Sequence, residues 1–490
     1  MDRLISGGFE MLQTIKNINN ITQTENGAFS HASTLDACLD FFAVSGALRN
    51  ADEKRIITLF SRAFASSGDY ALRALFYTRD IRGGAGERRT FRIILKWLAT
   101  SFPETVIKNM ENIAEYGRYD DILVLFDTPC EQAMLAFIKE LLFQDEKNML
   151  QGKKTSLLAK WLPSVNASNS ERKQLAKRIA KAFGITEKEY RQRTAALKHY
   201  IDILERRLCE KDYSFDYEKQ PSKALYKCRR AFIRNDKERY ADFIRRVQSG
   251  DAILKTGSLY PYEIIRDAIK PEQTKETIKI LDTTWNHLPD FCNHKNAIAV
   301  IDGSGSMLGE PLNIATSLGI YFAERNTGFF HNHFITFSEN PRLVEIHGKT
   351  IVDKALYCMS YNEIANTDLI RVYGLILKAA LEHHLPQSEL PETIYVISDM
   401  EFDSGVCPNM SLHEEVKNMF HQHGYTLPQI VYWNVNSRNC QYPVTANEYG
   451  CVLVSGTSPS IFKMVISQDV SPLTFMLAVL SEKRYSHIFA

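Results

Sequence analysis

Asp302, Ser304 and Ser306 lie in the run Asp302-Gly303-Ser304-Gly305-Ser306-Met307, directly after the apolar stretch 297–301. A carboxylate and two hydroxyls on one tight loop offer hard oxygen donors, which suit Mg2+ or Mn2+ rather than zinc. Two further loops add to the set. Asn366-Thr367-Asp368 precedes an amphipathic pattern with Leu369, Val372, Leu375, Ile376 and Ala379 on one face, and the apolar stretch 393–398 ends in Asp399. Asp302, Ser304, Ser306, Thr367 and Asp399 are therefore the expected metal donors, each at the end of a strand or the start of a helix. In open α/β sheets ligands bind outside the carboxyl ends of the strands. The same residue types also make Asx turns and helix caps, and that plainer role is the alternative for any one of them.

The elements that must hold these loops are legible as a change of texture near residues 285–296. Beyond it, strand-like and helix-like segments alternate: 297–301, 311–325, 332–337, 342–346, 370–384, 393–398, 411–423, 429–433, 451–455 and 459–467. Alternation of this kind predicts a doubly wound sheet. The continuous apolar runs 297–301 and 393–397 predict strands covered on both faces. Before residue 290 the pattern is helical, with candidates at 34–48, 53–66, 69–79, 87–99, 103–116, 119–126, 131–145 and 156–161, and breaks at Gly83-Gly84-Ala85-Gly86 and Asn166-Ala167-Ser168-Asn169-Ser170. Many helices of similar length with short connections predict antiparallel pairs stacked in a divergent α-helical repeat.

Composition is that of a soluble globular protein: 490 residues, 44% hydrophobic and 24% charged, a length that predicts two or three domains. The N-terminal residues lack a signal pattern and no apolar run approaches a bilayer span, so no membrane role is expected. Nine cysteines without C-x-x-C spacing point to free thiols and a cytoplasmic setting.

The net charge is +1, but residues 171–250 hold twenty-two Lys and Arg against twelve Asp and Glu. Aromatics are interleaved there: Phe183, Tyr190, Tyr200, Tyr226, Phe232 and Tyr240. Arginines can grip phosphates and exposed aromatics can stack on bases, so a nucleic acid is an expected partner. The plainer reading is solvated helix faces with the aromatics in the core. A second cluster, Arg79-Asp80-Ile81-Arg82-Gly83-Gly84-Ala85-Gly86-Glu87-Arg88-Arg89, reads either as an anion cradle or as an inter-helix turn, the turn somewhat favoured; it is no P-loop. Arg82, Arg88, Arg89, Arg229 and Arg230 are the expected RNA contacts. Enzyme activity is not expected: the donor set is mostly hydroxyl, unlike a two-metal hydrolase, and His331, His333, His383, His384, His421 and His423 lack zinc-ligand spacing.

The three oxygen-bearing loops resemble the metal-ion-dependent adhesion site of von Willebrand factor A (vWA) domains. That resemblance implies that Ser304, Ser306 and Thr367 bind the metal directly or nearly so. Asp302 and Asp399 would act largely through waters, and a partner carboxylate would fill the last position. A helical half followed by a vWA half resembles the Ro autoantigen (TROVE) family, whose members bind small non-coding and misfolded RNAs. Asn366-Thr367-Asp368, the run from Val431 to Ser437 and the run from Leu453 to Thr457 look like Ro counterparts. Arg79 to Arg88 and Ser398 to Asp403 are most similar to an uncharacterised Ro-like family. The resemblance implies a HEAT-like domain over residues 1–290 and a vWA domain over 291–490. It implies a non-catalytic RNA-binding protein or, alternatively, an adaptor that holds a partner's carboxylate through the metal.

Overall fold

The computed structural model describes residues 11, 15, 16, 18–292, 296–362, 368–405, 410–464 and 470–490. The fold is α plus α/β, and the chain divides into two compact units. The first comprises the residues up to Thr78, Gly83–Thr90 and Leu259–His487. The second comprises Arg79–Arg82, Phe91–Ser258 and Ile488–Ala490.

The first unit contains a hairpin, β1 (Ile21–Gln23) and β2 (Phe29–His31), and a six-stranded mixed sheet. The sheet strands are β3 (Ala297–Asp302), β4 (His333–Phe337), β5 (Leu343–Glu345), β6 (Thr393–Ser398), β7 (Gln429–Asn434) and β8 (Cys451–Ser455), in the order β5-β4-β3-β6-β7-β8. All pairings are parallel except β4 with β5. Every residue of β3, β6, β7 and β8 is buried, as a parallel sheet covered on both faces requires. The edge strand β5 is short and alternates exposed and buried residues.

Strand order reverses at β3. The chain moves outward from β3 to β4, then returns to β6 on its other side. The pair β3–β6 is thus the topological switch point of the sheet, and its register sets Ile301 beside Ile397.

A single cut near residue 290 does not describe this division. Helix Ala37–Ser45 packs against β8 and against helix Pro472–Leu480, and helix Glu53–Ser66 packs on Ala37–Ser45. At Gly46 the chain comes so close to β8 that a Cβ there would lie 2.5 Å from the Ser455 carbonyl oxygen. Helix Pro261–Ala268 lies against Glu310–Arg325 in the same unit. The cause is apolar surface: Phe41, Phe42 and Val44 are buried, and Phe42 meets Phe475 edge-on at 6.3 Å. No local period carries that information.

The second unit is helical. Helix Ser170–Phe183 starts at Asn169, whose side chain accepts the Arg172 N–H, and stops at Gly184 in the left-handed region. Helix Glu187–Tyr200 starts with a Thr186/Glu189 capping box. These two helices pack on each other and on Glu131–Leu150, and Ser222–Asn235 packs on Lys237–Ser249.

Several expectations need correction in detail. The segment 103–116 is two helices, Pro103–Lys108 and Met110–Tyr116. They are broken at Asn109, whose side chain donates to the Thr105 carbonyl at 2.9 Å. Tyr119–Leu125 is a 3-10 helix, and so is Pro459–Lys463. The β1–β2 hairpin and helices Ile351–Met359 and Pro472–Leu480 gave no recognised signal in the sequence. Among the described residues no helix is long and apolar enough to cross a membrane.

Candidate metal centre

Asp302 is the last residue of β3, and Asp399 directly follows β6. Parallel pairing at the switch point brings their carboxyl ends to one edge of the sheet, and both residues are buried. The Asp302 carboxylate is held on two sides. Its Oδ1 accepts the Ser304 N–H at 2.9 Å, and its Oδ2 accepts the Ser398 hydroxyl at 2.5 Å. Ser304 Oγ and Ser306 Oγ lie 3.0 Å apart. Met307, fully buried, pins the short 3-10 turn Gly305–Met307 into the core, so the two hydroxyls sit on a fixed turn.

Gly303 is explained by crowding. A Cβ there would lie 2.8 Å from Asn362 Oδ1 and 3.0 Å from its Cα. The loop after β6 is held just as firmly. Met400 is left-handed at φ 67°, which costs a non-glycine residue on the order of 1 kcal/mol. Its N–H donates to Ser398 Oγ at 3.0 Å, and its carbonyl accepts from Gln441 at 2.7 Å. These bonds fix Asp399, whose Oδ1 accepts the Glu401 N–H at 3.3 Å.

Burial, and then the neighbouring Asp399 charge, push the Asp302 carboxyl up to about 6. The donor chemistry fits a hard divalent cation: two buried carboxylates at the ends of adjacent strands, with two hydroxyls on the loop after Asp302. Thr367, the fifth expected donor, lies outside the described residues. The helix that follows it, Leu369–Glu382, is capped by Asp368, which accepts the Arg371 N–H at 3.0 Å. Among the described residues no group of three or more His, Cys, Asp and Glu side chains could hold a metal.

One participant was not legible in the sequence. Arg438 Nε donates to Asp399 Oδ2 at 3.1 Å, and its Nη1 lies 2.6 Å from Glu25 Oε2. Burial lowers the proton affinity of this guanidinium, but Asp399, Glu25 and Glu401 outweigh it and the net shift is upward. Arg438 lies thirty-nine positions from Asp399, and no motif links the two.

The expected RNA contacts are divided between the two units. Arg229 is a correction. It is buried, donates to the Tyr226 carbonyl at 2.7 Å and lies 4.0 Å over the Tyr226 ring, so it is part of its own helix packing. Arg82 donates to the Glu115 carbonyl at 3.0 Å, and Arg89 to the Ala51 carbonyl at 2.6 Å. Arg88 is half-buried and Arg230 exposed. Arg82, Arg229 and Arg230 belong to the second unit, Arg88 and Arg89 to the first. Phe183, Tyr190, Tyr226, Phe232 and Tyr240 are core residues; of the six interleaved aromatics only Tyr200 is exposed. Many basic residues of 171–250 are in ion pairs, among them Arg193 with Glu146, Arg207 with Asp202, and Arg246 with Glu218.

The glycine cluster at 83–86 is a turn. Its neighbouring N–H groups are spent internally: Arg82 on Asp80, Ala85 on the Tyr77 carbonyl and Glu87 on the Thr78 carbonyl. Arg79, at the head of that motif, is buried on Asp121 of the Tyr116-Gly117-Arg118-Tyr119-Asp120-Asp121 segment.

A family model described as Domain of unknown function (DUF2828) matches residues 24–126 and 134–295, more than half of the chain. The chain belongs to the DUF2828 family. A second model, Domain of unknown function (DUF7788), matches residues 296–475 of this DUF2828 protein, the span that carries the candidate centre. The chain is also 26% identical to Uncharacterized protein L728 of Acanthamoeba polyphaga mimivirus, over 96% of its own length and 89% of the relative's. These matches overturn the kinship with Ro autoantigens and vWA proteins. The motifs at Arg79 and Ser398 lie in spans matched by models of unknown function, and a D-x-S-x-S loop on a parallel sheet is too short a pattern to fix descent.

Proposed function

We propose that the α/β unit of this DUF2828 protein binds Mg2+ or Mn2+ through Asp302, Ser304, Ser306, Thr367 and Asp399, and uses it to hold a carboxylate of a protein partner. The role is non-catalytic: capture, with the metal as the contact point. What carries this reading is the pair of buried carboxylates, Asp302 and Asp399, at the ends of adjacent parallel strands at the switch point, beside two hydroxyls 3.0 Å apart. When bound, the cation supplies a Lewis-acidic position for an incoming carboxylate oxygen. The chain's own work is to hold the donors rigid: Ser398 and the Ser304 amide orient Asp302, and the left-handed Met400 turn orients Asp399.

This reading is preferred over RNA binding on the helical unit. Stacking needs exposed aromatics, and those of the basic region are core residues apart from Tyr200 and the half-buried Tyr213.

The test is a Mn2+ titration of the full chain by calorimetry, repeated on Ser304→Ala/Ser306→Ala. Saturable one-site binding that the double variant loses is the expected result. A wild-type chain that takes up no Mn2+, or a double variant that binds as well, rules the metal reading out.

A further inference from the structure

Arg438 is a built part of the centre. The N-terminal turn grips the loop after β6: Thr24 Oγ1 donates to the Phe402 carbonyl at 2.5 Å, Asn26 to the Glu401 carbonyl at 2.8 Å, and Gly27 bridges to Asp403. Glu25, on that turn, receives Arg438 Nη1 at 2.6 Å, and its N–H donates to Glu401 Oε2 at 2.8 Å. Asn439 donates to both Glu25 and Glu401, at 2.8 and 2.9 Å. Arg55 fixes the backbone beneath, donating to the carbonyls of Ser437 at 2.8 Å, Arg438 at 2.6 Å and Asn439 at 2.5 Å. Four side chains and a turn over four hundred residues away in sequence thus aim one guanidinium at Asp399.

We infer that Arg438 sets the charge of the centre, weakening its hold on the cation while strengthening the cation's hold on an incoming carboxylate. This rests on the metal reading above. Arg438 is a positioning and tuning residue: it repels a dication and competes with it for Asp399 Oδ2. Once a cation is bound, the same positive charge adds to the attraction for an anion. Glu25 acts in the opposite sense, because it adds negative charge that partly offsets the guanidinium.

The consequence is a pair of affinities that move in opposite directions, which a merely structural residue would not produce. In Arg438→Gln, Mn2+ should bind about tenfold more tightly. Acetate added to the Mn2+-loaded protein should bind about threefold or more weakly. In Glu25→Gln both changes should reverse, and Arg438→Lys should stay near wild type. Mn2+ is followed by electron paramagnetic resonance of the free ion, and acetate by the relaxation rate of solvent water protons. Opposite shifts in Arg438→Gln establish the inference; equal or parallel shifts overturn it. If Arg438→Gln does not fold, Glu25→Gln decides: weaker Mn2+ binding supports the inference and unchanged binding overturns it. A wild-type chain that binds no Mn2+ removes the metal reading itself, an outcome distinct from Mn2+ binding that ignores Arg438.

Discussion

The Arg79 guanidinium is buried on the Asp121 carboxylate, with Nη2 2.7 Å and Nε 2.8 Å from Oδ2. Arg92 Nε reaches the other oxygen of Asp121 at 2.5 Å and Arg92 Nη2 reaches Asp120 at 3.0 Å; Arg118 also grips Asp120 and lies 4.2 Å over the Trp161 ring. Arg79 of the glycine-containing cluster and the Asp120-Asp121 pair, about forty positions further on, are therefore parts of one ionic node of the helical unit.

Asp121→Asn should destabilise the second unit by about 3–5 kcal/mol, the usual cost of stranding one partner of a buried pair. Burial alone would raise the Asp121 carboxyl, but Arg79 and Arg92 win and hold it below its ordinary range. A depressed folded-state value means that the stabilisation is present above the unfolded aspartate range and is lost as pH falls through the folded one. Acid unfolding followed by far-ultraviolet circular dichroism should therefore lose this component below about pH 4 in the wild type. It should be absent in the variant, and an unchanged acid profile would refute the assignment.

Arg229 and Arg230 are neighbours with opposite fates. Arg229→Ala removes a buried stem and its bond to the Tyr226 carbonyl, and should cost about 2 kcal/mol in urea unfolding. Arg230→Ala, on an exposed position, should stay within about 0.5 kcal/mol. Equal effects at the two positions would show that the buried packing of Arg229 carries no weight.

His413 is buried at the start of helix Leu412–Gln422, with Nδ1 3.2 Å from the Tyr432 hydroxyl. Burial pushes its pKa down to about 4, against the attraction of Glu448 and Glu414 and with the help of Lys417. The unfolded histidine takes up its proton near pH 6.5, so the unfolded state binds more protons between about pH 6.5 and 4. Stability of the first unit should fall by roughly 2–3 kcal/mol as pH drops through that window. His413→Gln should flatten the slope of stability against pH, measured by chemical unfolding at a series of pH values.

Cation binding should register as stability. At a hundredfold excess over the dissociation constant, Mn2+ should add about 2.7 kcal/mol to the first unit. Chelator should reverse the gain in a thermal-unfolding scan, and Ser304→Ala should diminish it. A transition temperature indifferent to Mn2+ and to chelator would contradict the donor set.

The sequence by itself determined the local elements. Helix Glu53–Ser66 coincides with the expected span, because its buried face at Ile56, Leu59, Phe60 and Ala63 repeats with the helical period. Strands β3 and β6 were legible as continuous apolar runs, and Asp302, Ser304, Ser306 and Asp399 were legible as polar residues at their ends. These are properties of a few consecutive residues, fixed by backbone period and side-chain chemistry. Only the tertiary structure decided which strand ends meet, that Arg438 and Glu25 join Asp399, that Arg79 is buried on Asp121, and that helix Ala37–Ser45 covers β8. Each of those contacts joins residues separated by tens to hundreds of positions. The energy that selects them is the burial of shared apolar surface and the pairing of buried charge, and neither has a period that a window of sequence can display.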